Sequence, residues 1–135
     1  MREPLLFVYG TLLYGSGHRR IDQLIASHTM RLETGTVQAR VYDLGPYPGA
    51  IPHASPTDRV AGHVLLLRGG AATLCILDRY EQYDPRHPTR SVFVRARTPV
   101  TLHDGRKITA WIYWYNRPVT GKRRLNLDSR KGSVK

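Results

Sequence analysis

The sequence predicts an α+β fold of about five strands and two short helices in one domain. Three observations lead there: an apolar run without a polar break at residues 5–9, period-two alternation in two later segments, and helical periodicity in two stretches of about ten residues. At 135 residues the chain suits one hydrophobic core.

Leu5-Leu6-Phe7-Val8-Tyr9, stopped by Gly10, reads as a central strand buried on both faces. After a loop punctuated by Gly10, Gly15 and Gly17, residues Ile21, Leu24, Ile25 and His28 fall at i, i+3, i+4 and i+7 of a helix over residues 19–28. Val37, Ala39 and Val41 alternate with Gln38, Arg40 and Tyr42, the pattern of a half-buried strand. Residues 43–58 hold four prolines and two glycines, so neither a helix nor a central strand is expected there. A structured loop of that length is usually functional. Residues 60–67 form another apolar strand closed by Gly69-Gly70, and a helix follows from Ala71 to about Tyr80. Val92, Val94 and Ala96 alternate with Phe93, Arg95 and Arg97, and the Asp104-Gly105 turn joins that strand to residues 108–115 as a hairpin.

Composition removes several function classes. The single cysteine, Cys75, excludes an intramolecular disulfide and any zinc site built on two thiolates, and a reducing compartment is expected. On the helix beside Leu74, Ile76 and Leu77 it reads as a small core residue. The apolar run at residues 5–9 is too short for a leader peptide, and no stretch approaches the roughly 20 apolar residues of a membrane span. A cytoplasmic protein without membrane contact is the expectation. The six histidines make no ligand pair, His63 in its apolar strand reads as a core residue, and no nucleophile elbow is present.

The net charge is +11, with Arg supplying 17 of the 21 basic residues. Residues 117–135 carry seven Lys or Arg against one Asp, a net +6, so over half of the excess sits in the last 19 residues. Nucleic-acid binding is not favoured: the aromatics Trp111, Tyr113, Trp114 and Tyr115 cluster in one core-like strand and the terminal segment has none.

Two places could carry chemistry. Glu81 lies seven residues after Leu74 and four after Leu77, which extends the buried stripe of the second helix to a carboxylate. Desolvation and the helix C-terminus would both raise its pKa, as suits a general acid or base. The alternative is that the helix stops earlier and Glu81 meets solvent, Arg79 or Arg86. Tyr9-Gly10-Thr11-Leu12 is the other place: a buried strand ending in glycine leaves backbone N–H groups free to converge on an anion, or is a plain strand-to-helix connection. It matches neither the phosphate loop nor the dinucleotide fingerprint.

These landmarks together resemble the γ-glutamylcyclotransferase-like, or AIG2-like, family. The resemblance rests on Phe7-Val8-Tyr9-Gly10-Thr11-Leu12, Tyr47-Pro48-Gly49-Ala50-Ile51, Val60-Ala61-Gly62-His63-Val64, Leu77-Asp78-Arg79-Tyr80-Glu81-Gln82-Tyr83 and Ala110-Trp111-Ile112-Tyr113-Trp114-Tyr115-Asn116. It implies a small, strongly bent, partly closed mixed β-barrel of about five to six strands with two flanking helices, occupying residues 1–118, with 119–135 as a basic tail. It further implies Glu81 as the catalytic acid/base. Backbone N–H groups of Tyr9, Gly10, Thr11 and Leu12 would hold a substrate α-carboxylate, and Tyr47, Pro48, Gly49 and Tyr115 are the other substrate-binding candidates. The implied reaction converts a γ-glutamyl amine or peptide to 5-oxoproline and free amine without metal or cofactor. The competing reading is a binding or regulatory protein with the same fold. Two departures stand out. Many members have Tyr-x-Arg where this chain has Pro88-Thr89-Arg90, leaving Tyr83 or Tyr115 to take that place. A Ser-Gly-Asp-aromatic ending is replaced by Leu127-Asp128-Ser129-Arg130.

Overall fold

The computed structural model describes residues 4–9, 19–45 and 48–125, with residues 19–21 described as backbone. The strands are β1 (Leu5–Val8), β2 (Thr29–Asp43), β3 (Pro48–Pro52), β4 (Arg59–Leu67), β5 (Phe93–Leu102), β6 (Lys107–Tyr115) and β7 (Arg124–Leu125). The helices are α1 (Arg19–His28) and α2 (Gly70–Tyr80), with a 3-10 turn at Pro88–Arg90.

Five strands close into a mixed barrel. Around the ring β1, β4, β2 and β3 pair antiparallel; β3 and β1 then both pair parallel with β6, at Ala50↔Trp114 and Leu6↔Trp111. β5 runs antiparallel to β6 through the 103–106 turn and reaches β2 at Gly35↔Leu102. β7 takes the free edge of β2 beyond the end of β4, pairing Val41 with Leu125. Arg124 and Leu125 of the basic segment are thus part of the sheet, while residues 126–135 lie outside the described residues.

Side-chain alternation divides the apolar residues into two cores. Phe7, Val37, Ala39, Val41, Val60, Val64, Val100 and Ile112 fill the barrel. Leu6, Val8, Leu65, Leu67 and Tyr113 point the other way and meet Leu74 and Leu77 of α2 and Leu24 and Ile25 of α1. β1, buried at Leu6, Phe7 and Val8, contributes to both, as its unbroken apolar run requires.

So small a barrel closes only where side chains are missing. Gly35 and Gly62 are register partners on β2 and β4. A Cβ at Gly62 would lie 2.2 Å from the Val8 carbonyl oxygen and 2.6 Å from Phe7 Cζ; one at Gly35 would lie 2.8 Å from Val100 Cγ1. Because the obstacle at Gly62 is backbone, relief requires moving β1 away from β4. Gly62→Ala is expected to cost about 3 kcal/mol, read as a lower urea midpoint at unchanged m-value.

Several expectations are corrected. The proline-rich segment 43–58 contains a strand: Pro48 and Pro52 stand at the two ends of β3, so the missing N–H groups spare its interior, and Ala50 is fully buried. β2 begins at Thr29, well before the alternating stretch. Its first half leaves Met30 and Leu32 exposed and carries a register shift between Arg31 and Glu33, which hides the strand from a period-two pattern. Cys75 is exposed rather than in the core, because the buried stripe of α2 runs through Thr73, Leu74, Leu77 and Asp78. On β5, Phe93 is buried in the helix-side core and Arg95 reaches Asp78 from the same face of the strand.

Candidate active site

α2 delivers Glu81. The helix ends at Tyr80, but the Glu81 N–H still donates to the Leu77 carbonyl at 2.9 Å, so its side chain keeps helical phase with Leu74, Leu77 and Asp78. Gln82 then adopts φ 58°, the left-handed conformation, and the Tyr83 N–H returns to the Asp78 carbonyl at 2.8 Å while the Gln82 N–H reaches that of Arg79. This Schellman closure turns the chain away immediately after the glutamate.

Glu81 is half-buried, and the partial desolvation of its carboxyl pushes its pKa up to about 7. It forms no side-chain hydrogen bond or ion pair with another described residue; Arg86, a conceivable partner, sits instead 3.5 Å from Asp84. Two buried phenols feel the charge of Glu81. Burial raises the pKa values of Tyr9 and Tyr113, and Glu81 adds to both shifts; at Tyr113 the hydrogen bond to Asp78 is the larger addition. Both phenols therefore stay protonated.

Tyr9 follows β1 and lies where β1 and β3 meet on the same edge of β6. Its hydroxyl accepts from the Ala50 N–H at 2.8 Å and donates to the Tyr113 carbonyl at 3.1 Å. The hydroxyl is therefore committed to joining the three strands. Gly49 has no side chain because Tyr115 occupies that space: a Cβ would stand 3.0 Å from Tyr115 Cβ and 2.5 Å from Leu44 Cδ1. Tyr115 in turn packs on Phe93, ring centroids 5.5 Å apart. Pro48 opens β3 opposite Asp43. The structure thus brings together Glu81 and Tyr9 electrostatically, and Gly49 and Tyr115 by packing. Gly10, Thr11, Leu12 and Tyr47 lie outside the described residues.

Beneath this group is a charged network. Asp78 accepts from Arg95 Nε at 2.8 Å and its NH2 group at 3.1 Å, and from the Tyr113 hydroxyl at 2.7 Å. The Arg95 guanidinium lies 4.4 Å from the Trp111 ring and 5.8 Å from that of Tyr83. Sequence reasoning did not single out Asp78 or Arg95. Asp78 occupies the same buried stripe that pointed to Glu81, and this was the available signal.

Pro88 is exposed and begins the 3-10 turn; its carbonyl and that of Ser91 accept from Asn116 Nδ2. Arg117 adds bonds to the Ser91 and Arg90 carbonyls, so the loop after Glu81 is anchored to the end of β6. Tyr83 is half-buried against the helix-side core, with its ring near the Arg95 guanidinium.

Among the described residues no helix is long and apolar enough to cross a membrane. No curated protein sequence matches the chain. Among solved structures it is similar to an AIG2-like protein from Mus musculus, with 16% identity, TM-score 0.65, and 87% of this chain and 81% of that one covered. An uncharacterized protein from Pyrococcus horikoshii is similar at 15% identity and TM-score 0.57, covering 90% and 85%. A structure described as gamma-glutamyl cyclotransferase is similar at 21% identity and TM-score 0.60, covering 84% of this chain and 66% of that one. At these identities the likeness establishes the fold. The family model for gamma-glutamyl cyclotransferase, AIG2-like, matches residues 6–131, nearly the whole sequence. The chain belongs to the gamma-glutamyl cyclotransferase, AIG2-like family, and its barrel and flanking helices are that family's fold.

Proposed function

We propose that the protein is a γ-glutamyl cyclotransferase that turns a γ-glutamyl amine or peptide into 5-oxoproline and the free amine, with Glu81 as acid/base. The observation that carries this reading is the desolvated carboxyl of Glu81, without a hydrogen-bond or ion-pair partner among the described residues and acting electrostatically on Tyr9, its pKa pushed up to the value of about 7 that suits proton shuttling.

The substrate α-carboxylate rests on backbone N–H groups of the Tyr9, Gly10, Thr11 and Leu12 segment, with Tyr47, Pro48, Gly49 and Tyr115 along the substrate chain. Glu81 removes a proton from the α-ammonium, and the freed nitrogen attacks the γ-carbonyl carbon. The carbon–nitrogen bond to the amine breaks as Glu81 returns its proton to the leaving nitrogen. The ring nitrogen sheds its second proton to water and the released amine takes one up, so the reaction ends with no net proton change. Both reacting groups belong to one molecule, so holding the folded conformer supplies much of the rate. Tyr9, its hydroxyl already bonded on both sides, contributes through backbone and shape.

The test is a panel of γ-glutamyl amines, γ-glutamyl dipeptides and glutathione assayed for 5-oxoproline. Release from at least one substrate is expected. Release from none, by folded protein, overturns the assignment.

A further inference from the structure

The opposite face of β6 from Glu81 borders a separate cavity. Tyr113 and Tyr115 face the helices and the glutamate, whereas Trp114 alternates to the other side and lines a cavity of about 490 Å³ between the end of β3, β2 and the β5–β6 hairpin. That volume suits a small molecule. Arg59 and Lys107 line it together with His53, Thr36 and Thr98, and no Asp or Glu is among its lining residues.

The carboxylates nearest this cavity are engaged by other cations. Elsewhere the carboxylates are matched by arginines: Asp43 by Arg123, Asp84 by Arg86, and Asp104 and Glu33 by Arg106. Behind this cavity Asp58 alone meets Arg40, Arg124 and His53. Among the described residues Arg59 and Lys107 meet no carboxylate, as is also true of Arg68, Arg79 and Arg97, but these two line one cavity. Arg59 is also held in place, its Nε donating to the Pro56 carbonyl at 3.0 Å and its NH1 to Thr36 Oγ1 at 3.4 Å, which leaves its NH2 group unspent. Thr36 and Thr101 continue into a neighbouring cavity of about 410 Å³ lined by His63, whose Nδ1 is buried without a partner.

We propose that this cavity is a second ligand site, which takes the oxyanion of a small phosphate or carboxylate compound between Arg59 and Lys107 and seats a flat apolar body on Trp114. The guanidinium fork and the ammonium can only donate, and the threonine hydroxyls beside them can donate as well, which fits an acceptor-rich anion. The indole face gives the ligand body its platform.

Amide and indole shifts followed by NMR while phenyl phosphate is added give the test, with inorganic phosphate and phenol as partial probes. Saturable shifts are expected at Thr36, Thr98 and the Trp114 indole with phenyl phosphate, weaker ones with inorganic phosphate, and none with phenol. Lys107→Glu, on an exposed side chain, should weaken binding at least about tenfold, and added salt should weaken it as well. Arg59→Ala is the second variant, read beside its melting temperature because Arg59 also braces the Pro56 turn. Glu81→Gln should leave binding unchanged, which separates this site from the proposed reaction. No saturable shift with phenyl phosphate, or one indifferent to Lys107→Glu, overturns the proposal.

Discussion

Glu81→Gln is expected to lower 5-oxoproline release by about 10²- to 10⁴-fold with little change in substrate affinity, because the amide keeps the shape and loses the proton transfer. In the parent protein kcat/KM should rise through a pKa of about 7 as pH increases, since the free enzyme must hold a carboxylate to accept the ammonium proton. The same substitution should stabilise the fold. Glu81 has an ordinary value of 4.5 and a folded value of about 7. Between these values the folded state keeps a proton that the unfolded chain has lost. Stability therefore falls as pH rises across that window and levels off above it. Glutamine avoids this loss. The variant should gain up to about 3 kcal/mol over the parent at pH 8, and the gain should vanish below pH 4.5. Urea unfolding at the two pH values checks it; parallel stability profiles for the two proteins would remove the desolvated carboxyl on which the proposed mechanism depends.

Asp78→Ala is expected to be the more damaging change to the fold, by about 3–5 kcal/mol. Asp78 is 7% exposed at its side chain and Arg95 16%. Its loss strands a guanidinium against Trp111 and Tyr83, and removes the acceptor of the Tyr113 hydroxyl. The melting temperature should drop by roughly 10–20 °C. Joint replacement, Asp78→Leu with Arg95→Met and Tyr113→Phe, should recover most of the loss, because neither a charge nor an unpaired hydroxyl is then left buried. If Asp78→Ala alone unfolds at the parent temperature, the pair is not a buried unit.

Much of this was legible in the residues themselves. The unbroken run in β1, the periodic stripe of α2 and the Asp-Gly turn of the β5–β6 hairpin follow from local chemistry, and the stripe located Glu81 without help from the fold. β3 was hidden because its two prolines mark strand ends as readily as they forbid strands. Cys75 was misplaced because one apolar neighbour, Ile76, is itself 47% exposed, which made the stripe look wider than it is. Arg95 and Asp78 are 17 residues apart and meet only when β5 lies under α2, a juxtaposition that no local pattern encodes. The barrel's closure is of the same kind, and here the family resemblance supplied what periodicity could not.

The order in which the ring closes bears on how the chain is made. β1 is synthesised first, yet one of its edges waits for Trp111 in β6, and β3 waits for Trp114 on that same strand. Until residues 107–115 leave the ribosome, a nascent chain carries two apolar strands with open hydrogen-bonding edges, the condition in which strands pair with the wrong chain. Closure is a late, non-local step, slow by the rule that distant contacts are costly to bring together. A chain stalled or cut before β6 is complete would therefore be the species most exposed to aggregation.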